Sequence, residues 1–230
     1  MASSRAEPIG LLGGTFDPVH YGHLRTADAL QRGLDVADMR LVPAGDPPHR
    51  GAPHANAAHR VAMLELARAE FPRLAIDTRE IGRHGKSYTV MTLESLRAEA
   101  PARPLLWIVG ADAFLGLPAW HRWDELFDLA HVVVVNRPGA ALDGAMPSAL
   151  SAQWHARATT DREALRVAPS GAIYTMDLTP QPISATAIRA ELARGPDGIA
   201  AVRGLLPAGV LSYIARNRLY GASPLPQDAT

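Results

Sequence analysis

The chain has 230 residues, of which 47% are hydrophobic and 20% charged, an ordinary composition for a globular protein long enough to bury a full core. Its 23 Lys and Arg residues balance 23 Asp and Glu residues, so no basic field indicates binding to nucleic acid or to an anionic membrane, and small ligands are the expected partners. Because the chain contains no cysteine, disulfides, thiolate zinc sites and cysteine nucleophiles are excluded.

Short apolar runs alternate with segments of helical periodicity, which is the pattern of βαβ units around a parallel sheet. Strands are expected at 9–14, 39–44, 74–78, 104–112, 131–136 and near 172–177. Helices are expected after residue 20, around 61–71, around 90–96, over about 121–130, near 148–157, and at about 185–194 and 207–218. The predicted fold is Rossmann-like α/β: a doubly wound parallel sheet with helices on both faces and a small helical C-terminal part.

Neither a repeat nor a clear linker divides the chain, so residues 9–220 are expected to form one domain. The segments 1–8 and 221–230 are expected to be disordered. The N-terminal segment lacks the apolar core of a signal peptide, and no apolar run approaches the length of a membrane span. We therefore expect a cytoplasmic protein.

The segment "GGTFDPVHYGHL" (13–24) lies where the first strand ends and the first helix begins. Ligands of open parallel sheets bind outside the carboxyl ends of the strands. Gly13 and Gly14 allow the backbone to approach a ligand, and the start of the helix is expected to offer open N–H groups to a phosphate. His20 and His23 are three positions apart and share one face of the first turn, with the small Gly22 between them. This combination predicts a polyphosphate site.

Other interpretations of this segment are weaker. A histidine at a helix start is commonly a cap or a packed side chain. A metal site is disfavoured because the nearest carboxylate, Asp17, precedes a proline and the spacing fits no zinc signature. The dinucleotide-binding pattern GxGxxG is absent, and "GKS" (85–87) is not a Walker A loop because Glu80 occupies the position of its first glycine. We interpret 85–87 as a loop that leads into a helix.

"GGTFDPVHYGH" resembles the signature of the HxGH nucleotidyltransferases, which transfer a nucleoside monophosphate from a nucleoside triphosphate to a phosphate acceptor. "ISATAIR" (183–189) resembles the second signature of that superfamily, ISSTxIR, with Ala185 in place of the middle serine. Ser184 is a good N-cap, and Arg189 is placed to bind phosphate oxygens. A simple capped helix with a solvated arginine is the alternative.

The segments "PAGDPPHR" (43–50), "KSYTVMTLESLR" (86–97) and 107–139 resemble the bacterial nicotinate-nucleotide adenylyltransferases. The resemblance covers residues 9–220, which it identifies as a nucleotidyltransferase domain. It implies that ATP and nicotinic acid mononucleotide give nicotinic acid adenine dinucleotide and pyrophosphate in NAD biosynthesis. The loop "AGD" (44–46) differs from the family pattern, in which many relatives have asparagine.

The resemblance also implies roles for individual residues. His20, His23 and Arg189 would be catalytic. The ATP-binding residues would be Gly13, Gly14, Thr15, Phe16, His20, His23, Gly110, Asp112, Arg137, Ile183, Ser184, Thr186 and Arg189. The acceptor would be bound by His49, Arg50, Thr89, Trp120 and His121, with Trp120 stacked on the pyridine ring.

Several of these residues have simpler interpretations. Asp112 is also suited to capping a short helix, and Trp120 to packing in the core. His49, His54 and His59 resemble a metal cluster but fit an exposed loop better.

We expect the acceptor phosphate to attack the α-phosphorus of ATP in line, without a general base. Mg²⁺ is expected to be carried by the triphosphate, with no metal held by the protein. The alternatives are another HxGH nucleotidyltransferase, such as a pantetheine-phosphate or nicotinamide-mononucleotide adenylyltransferase, and a module that senses nucleotides without catalysis. A homo-oligomer is left open.

Overall fold

The structure is a computed structural model that describes residues 7–45, 52–83, 85–139, 142 and 146–224. Its centre is a seven-stranded sheet in which every pairing is parallel. The strands are β1 (Ile9–Gly14), β2 (Asp38–Pro43), β3 (Leu74–Ile76), β4 (Leu105–Gly110), β5 (His131–Asn136), β6 (Ala158–Thr159) and β7 (Ile173–Asp177). Their order across the sheet is β3-β2-β1-β4-β5-β7-β6.

Helices connect the strands and cover the sheet. They are α1 (Tyr21–Gly33), α2 (Ala57–Ala67), α3 (Thr89–Glu99), α4 (Ala111–Leu115), α5 (Leu126–Leu129), α6 (Ser148–Arg157), α7 (Ala164–Val167), α8 (Ala185–Leu192), α9 (Pro196–Ala201) and α10 (Ala208–Arg216). Single turns of 3₁₀-helix span Leu117–Ala119, Trp123–Glu125 and Leu219–Gly221. None of these described helices has the length and apolar character needed to cross a membrane.

Strand β4 shows why both faces of the sheet are covered. Its side chains alternate between two hydrophobic cores: Leu106 and Ile108 join one, whereas Leu105, Trp107 and Val109 join the other. The first core also contains buried residues of α1, α2 and α8–α10, and the second contains those of α3–α6. The predicted doubly wound α/β fold is thereby confirmed.

The strand order places a crevice between β1 and β4. After β1 the chain builds outward through β2 to β3, and it then returns to the other side of β1 with β4. The connections after β1 and β4 therefore leave the sheet in opposite directions, which opens a crevice above their carboxyl ends. Thr15, after β1, and residues of the 111–121 segment, after β4, line a cavity in this crevice.

Several local predictions were wrong. The helix expected over 121–130 begins only at Trp123, because Arg122 takes the left-handed conformation with φ of 50°, and it consists of the 3₁₀ turn Trp123–Glu125 followed by α5. Strand β6 and helices α7 and α9 were not predicted. Each has six residues or fewer, which is too short for apolar periodicity to be recognised.

The C-terminal segment is ordered further than predicted. Gly221 belongs to a 3₁₀ turn, and Ala222, only 4% exposed, lies in the first core. Residues 225–230 of the predicted disordered tail, and residues 1–6 of the predicted disordered N-terminal segment, lie outside the described residues.

Candidate active site

Two adjoining cavities lie over the carboxyl ends of the central strands. The larger has a volume of about 1040 Å³ and the smaller about 490 Å³. Both are lined by Leu12, Gly13, Gly14, Thr15 and Thr26, so the end of β1 forms a shared floor. The two cavities together form one cleft.

Most of the predicted site residues line this cleft. The larger cavity is lined by Gly13, Gly14, Thr15, Thr89, Gly110, Asp112, Trp120, His121 and Arg137. The smaller cavity is lined by Gly13, Gly14, Thr15, Phe16, His23, Thr186 and Arg189. The lining of the two cavities does not include His20, Ile183 or Ser184. His49 and Arg50 lie outside the described residues, as does Asp46 of the departing loop.

His20 and His23 form a stacked pair at the start of α1. Their ring centroids are 3.8 Å apart with an angle of 22° between the planes, and the edge of the Phe16 ring lies against His23. His20 is 4% exposed, and this burial lowers its pKa to about 4, so its imidazole is neutral at pH 7. His23 therefore faces the smaller cavity while a neutral ring supports it from below.

Gly22 makes this stack possible. A Cβ atom at this position would lie 2.8 Å from two atoms of the His20 ring, which is too close for any side chain. Gly14 has a similar role, because a Cβ atom there would lie 2.8 Å from the ring of Phe16. The glycines of this segment thus serve side-chain packing as well as access to the cleft.

The start of α1 offers fewer open donors than expected. The N–H of Tyr21 donates to the carbonyl of Leu205 at 2.9 Å, and that of His23 donates to the carbonyl of His20 at 3.0 Å. A tight first turn and the approach of Leu205 therefore occupy two N–H groups of a helix start that was expected to offer open donors to a phosphate.

The second signature lies across the smaller cavity from the histidines. Arg189 donates from Nη1 to the carbonyl of Asp17 at 2.7 Å and from Nη2 to Thr186 at 3.4 Å. Ser184 occupies the predicted N-cap position of α8, although its hydroxyl makes no capping hydrogen bond. Ile183 packs against the first core instead of lining the cleft.

Asp17 anchors the loop between the strand and the helix. Its carboxylate, 5% exposed, accepts hydrogen bonds from the backbone N–H of His54 at 2.7 Å and of Ala55 at 3.0 Å. It also accepts one from the Tyr220 hydroxyl at 2.7 Å. His54, which was expected in an exposed loop rather than at a metal site, is exposed and lines the smaller cavity beside it.

Arg60 is a second anchor that the sequence analysis missed. This helical arginine is 1% exposed, and it donates from Nη1 to the carbonyl of Thr15 at 2.9 Å. Burial is the largest influence on its pKa and lowers it, while the nearby carboxylate of Asp17 acts in the opposite direction. Arginine in an amphipathic helix usually points to solvent, so periodicity gave no signal for this contact.

The far end of the larger cavity is aromatic. Trp120 follows the 3₁₀ turn Leu117–Ala119 and packs partly against the second core while lining the cavity, so it combines the two predicted interpretations. The rings of Tyr88 and His121 lie 4.4 Å apart. Thr89 begins α3, where the first N–H groups have no acceptor within the helix.

Asp112 lies in the first turn of α4, and Gly110 occupies the N-cap position. The interpretation of Asp112 as a helix cap was therefore wrong. Its side chain is exposed at the edge of the larger cavity, and a Cβ atom on Gly110 would meet nothing within 4 Å. Both residues remain accessible to a ligand.

Three further residues of the cleft were not predicted. Thr26 lies three positions after His23 on the same helical face, and this spacing was the signal that could have found it. Glu80 and Ser87 are buried and line the larger cavity. The Glu80 carboxylate accepts a hydrogen bond from the Thr92 hydroxyl at 2.8 Å, and burial raises the pKa of this carboxyl group.

The segment 85–87 leads into a helix, as predicted. Helix α3 begins two residues after Ser87, so the interpretation of 85–87 as a loop is confirmed.

Comparison with known proteins gives a consistent result. Residues 11–191 match the family model described as Cytidylyltransferase-like. A protein of Laribacter hongkongensis named probable nicotinate-nucleotide adenylyltransferase is 50% identical over 213 residues, covering 92% of this chain and 94% of the relative. A protein of the same name from Dechloromonas aromatica is 45% identical over 217 residues, covering 94% of this chain and 98% of the relative.

Solved structures share the fold. The Plasmodium falciparum nicotinic acid mononucleotide adenylyltransferase complexed with NaAD superposes with a TM-score of 0.69 at 14% identity, covering 94% of this chain and 98% of that chain. The same enzyme complexed with APC gives a TM-score of 0.67 at 15% identity over the same shares of the two chains. The extent and identity of the sequence matches, together with the shared fold, show that this chain belongs to the nicotinate-nucleotide adenylyltransferase family.

Proposed function

We propose that this protein transfers the adenylyl group of ATP to nicotinic acid mononucleotide, giving nicotinic acid adenine dinucleotide and pyrophosphate in NAD biosynthesis. The observation that carries the proposal is the junction of the two cavities on the floor formed by Gly13, Gly14 and Thr15. A cleft with a basic end and an aromatic end suits two ligands whose phosphates must meet in the middle.

The smaller cavity supplies the groups that a triphosphate needs. Arg189 is already oriented by its hydrogen bond to the Asp17 carbonyl, and His23 faces the same space. A fixed guanidinium and an imidazole N–H stabilise negative charge without having to reorganise during the reaction. We assign His23 to the α-phosphate and Arg189 to the outer phosphates.

The chemistry requires little more than positioning. An oxygen of the acceptor 5′-phosphate forms a bond to the α-phosphorus, the bond from that phosphorus to the bridging oxygen breaks, and pyrophosphate leaves with the electron pair. The attacking phosphate oxygen is nucleophilic at neutral pH, so no general base is needed. The neutral ring of His20 acts by holding His23 in place, and any direct contact of His20 with phosphate remains a prediction.

The larger cavity suits the acceptor and the nucleoside of ATP. Trp120 offers a ring face for the pyridine, and backbone N–H groups near Thr89 and His121 suit its carboxylate. Asp112 is placed to bind the ribose of the adenylate, and Arg137 lies exposed along the same wall.

Magnesium fits this cleft as an ion that arrives with ATP. Among the described residues that line the smaller cavity, Asp17 is the one carboxylate, and its two oxygens already accept three hydrogen bonds. The triphosphate itself provides the oxygen ligands that Mg²⁺ prefers, and the ion would lower the negative charge that Arg189 and His23 face.

Pyrophosphate release with ATP and a panel of phosphate acceptors tests the proposal. In nicotinamide mononucleotide an amide replaces the carboxylate, so its NH₂ donor would face the backbone N–H donors of the site. We therefore expect kcat/KM for nicotinic acid mononucleotide to exceed that for nicotinamide mononucleotide by at least about tenfold. Equal or reversed preference would contradict the proposed acceptor. Faster turnover of pantetheine phosphate would indicate a different transferase, and ATP binding without turnover of any acceptor would indicate a sensing module.

A further inference from the structure

The segment that follows α10 reaches back to Asp17, which lines the smaller cavity. Arg218 and Tyr220 both have the left-handed backbone conformation, with φ of 50° and 57°. Ala222, just beyond them, is buried in the first core. Left-handed residues other than glycine persist where the surrounding structure holds them, so this segment is fixed in a defined shape.

This backbone conformation places the Tyr220 hydroxyl beside the Asp17 carboxylate. The hydroxyl donates to Oδ1 of Asp17 at 2.7 Å, and burial is the first cause that raises its pKa, so it remains a donor. The same Asp17 oxygen also accepts from the N–H of Ala55, and the other oxygen accepts from the N–H of His54. Tyr220 therefore completes a three-donor arrangement around one buried carboxylate.

That carboxylate belongs to the residue whose carbonyl orients Arg189. The Asp17 carbonyl accepts from Nη1 of Arg189 at 2.7 Å, and Asp17, His54 and Arg189 all line the smaller cavity. A displacement of Asp17 would therefore act on residues 54 and 55 through its carboxylate and on the guanidinium through its carbonyl. In the larger cavity, by contrast, Trp120 packs against the second core and His121 lies against the ring of Tyr88.

We propose that Tyr220 is a positioning residue for ATP: through Asp17 it holds His54 and Arg189 at the phosphate end of the cleft. The inference rests on the proposed adenylyl transfer, because it identifies the smaller cavity as the phosphate end. It concerns orientation of the ATP-binding groups, so the acceptor end is expected to be unaffected.

Tyr220→Phe removes only the hydroxyl, and Tyr213→Phe is the matched control. The Tyr213 hydroxyl, on α10, lies 2.9 Å from Nδ1 of His59, and Tyr213 does not line either cavity. We expect Tyr220→Phe to lower kcat/KM for ATP by about tenfold, which is typical for loss of one hydrogen bond to a charged group, while KM for the mononucleotide changes less than twofold. Tyr213→Phe should leave both values unchanged.

The double variant Tyr220→Phe/Asp17→Asn tests whether Tyr220 acts through Asp17. If Tyr220 acts through Asp17, the double variant will lose no more kcat/KM for ATP than Asp17→Asn alone. Additive losses, an equal effect of Tyr213→Phe, or equal changes at the two substrates would overturn the proposal.

Calorimetric binding of a non-hydrolysable ATP analogue separates this inference from the proposed function. Weaker analogue binding by Tyr220→Phe than by wild type and Tyr213→Phe would support the positioning role even if wild type failed to turn over. Equal affinity in all three proteins would overturn the positioning role while leaving adenylyl transfer intact.

Discussion

At the scale of single residues, the candidate chemistry depends on side chains whose neighbours fix their direction. His23 is stacked on the neutral ring of His20, Arg189 is held by the carbonyl of Asp17, and Trp120 is braced by the second core. Each of these polar or aromatic side chains lines the cleft, and its neighbours hold it in one orientation.

His23→Ala should lower kcat strongly and leave the fold intact. A donor aimed at charge that develops during phosphoryl transfer is typically worth about 10²- to 10³-fold in rate. Steady-state kinetics and a thermal melt measure the two effects, with His155→Ala on the exposed face of α6 as control. Turnover of His23→Ala within a few-fold of wild type would mean that the phosphate site lies elsewhere.

Trp120→Ala should raise KM for the mononucleotide more than it lowers kcat, because a stacking contact exists in both the bound substrate and the transition state. Stacking of a base on an aromatic ring is worth about 1–3 kcal/mol, and a pyridine should fall near the low end. KM for ATP should change little, and Trp120→Phe should retain part of the affinity. A destabilised Trp120→Ala protein with an unchanged mononucleotide KM would show that the ring serves only the core.

His20 makes stability depend on pH. Its pKa is about 4 in the folded protein and about 6.5 when unfolded, so the unfolded chain binds the proton more tightly between these values. The folded protein should therefore lose stability as the pH falls from about 6.5 toward 4. His20→Gln should lose less over this window in thermal melts, while His131, whose pKa is also lowered by burial, contributes to both proteins. Parallel curves for wild type and His20→Gln would contradict a neutral His20.

At the scale of elements, the start of α1 is held by contacts within its own first turn and by a contact with the C-terminal part of the chain. Gly22 accommodates the His20 ring, and the N–H of Tyr21 donates to the carbonyl of Leu205 in the connection before α10. The helix therefore begins in a position that packing fixes, and the histidine pair is fixed with it.

Gly22→Ala should disturb this helix start. The added methyl would lie 2.8 Å from the His20 ring, so the ring must move or the turn must open, at a cost of about 1–3 kcal/mol. We expect Gly22→Ala to have a lower Tm than wild type, and a lower kcat as is expected for His23→Ala. The matched control is Gly82→Ala, where a Cβ atom would meet nothing within 4 Å. If the two variants have the same Tm and kcat, the stacked pair does not depend on Gly22.

At the scale of the whole molecule, local patterns predicted the parts of the fold and site that are local. The buried stripe of Leu24, Ala27 and Leu30 and the apolar central strands follow from periodicity, and the cleft lining after β1 follows from one contiguous motif. Tyr220 is 203 positions from Asp17, and its contact depends on how the whole chain closes, so no spacing rule indicated it. The cytoplasmic location, the magnesium ion, the single domain and the oligomeric state stay predictions.

The most direct test of the account is mass-spectrometric identification of the product formed from ATP and nicotinic acid mononucleotide, with pyrophosphate measured in the same reaction. Adenylyl transfer predicts nicotinic acid adenine dinucleotide and pyrophosphate in equal amounts, with both lost in His23→Ala. Release of pyrophosphate without the dinucleotide, or no product from a folded protein that binds both substrates, would contradict it.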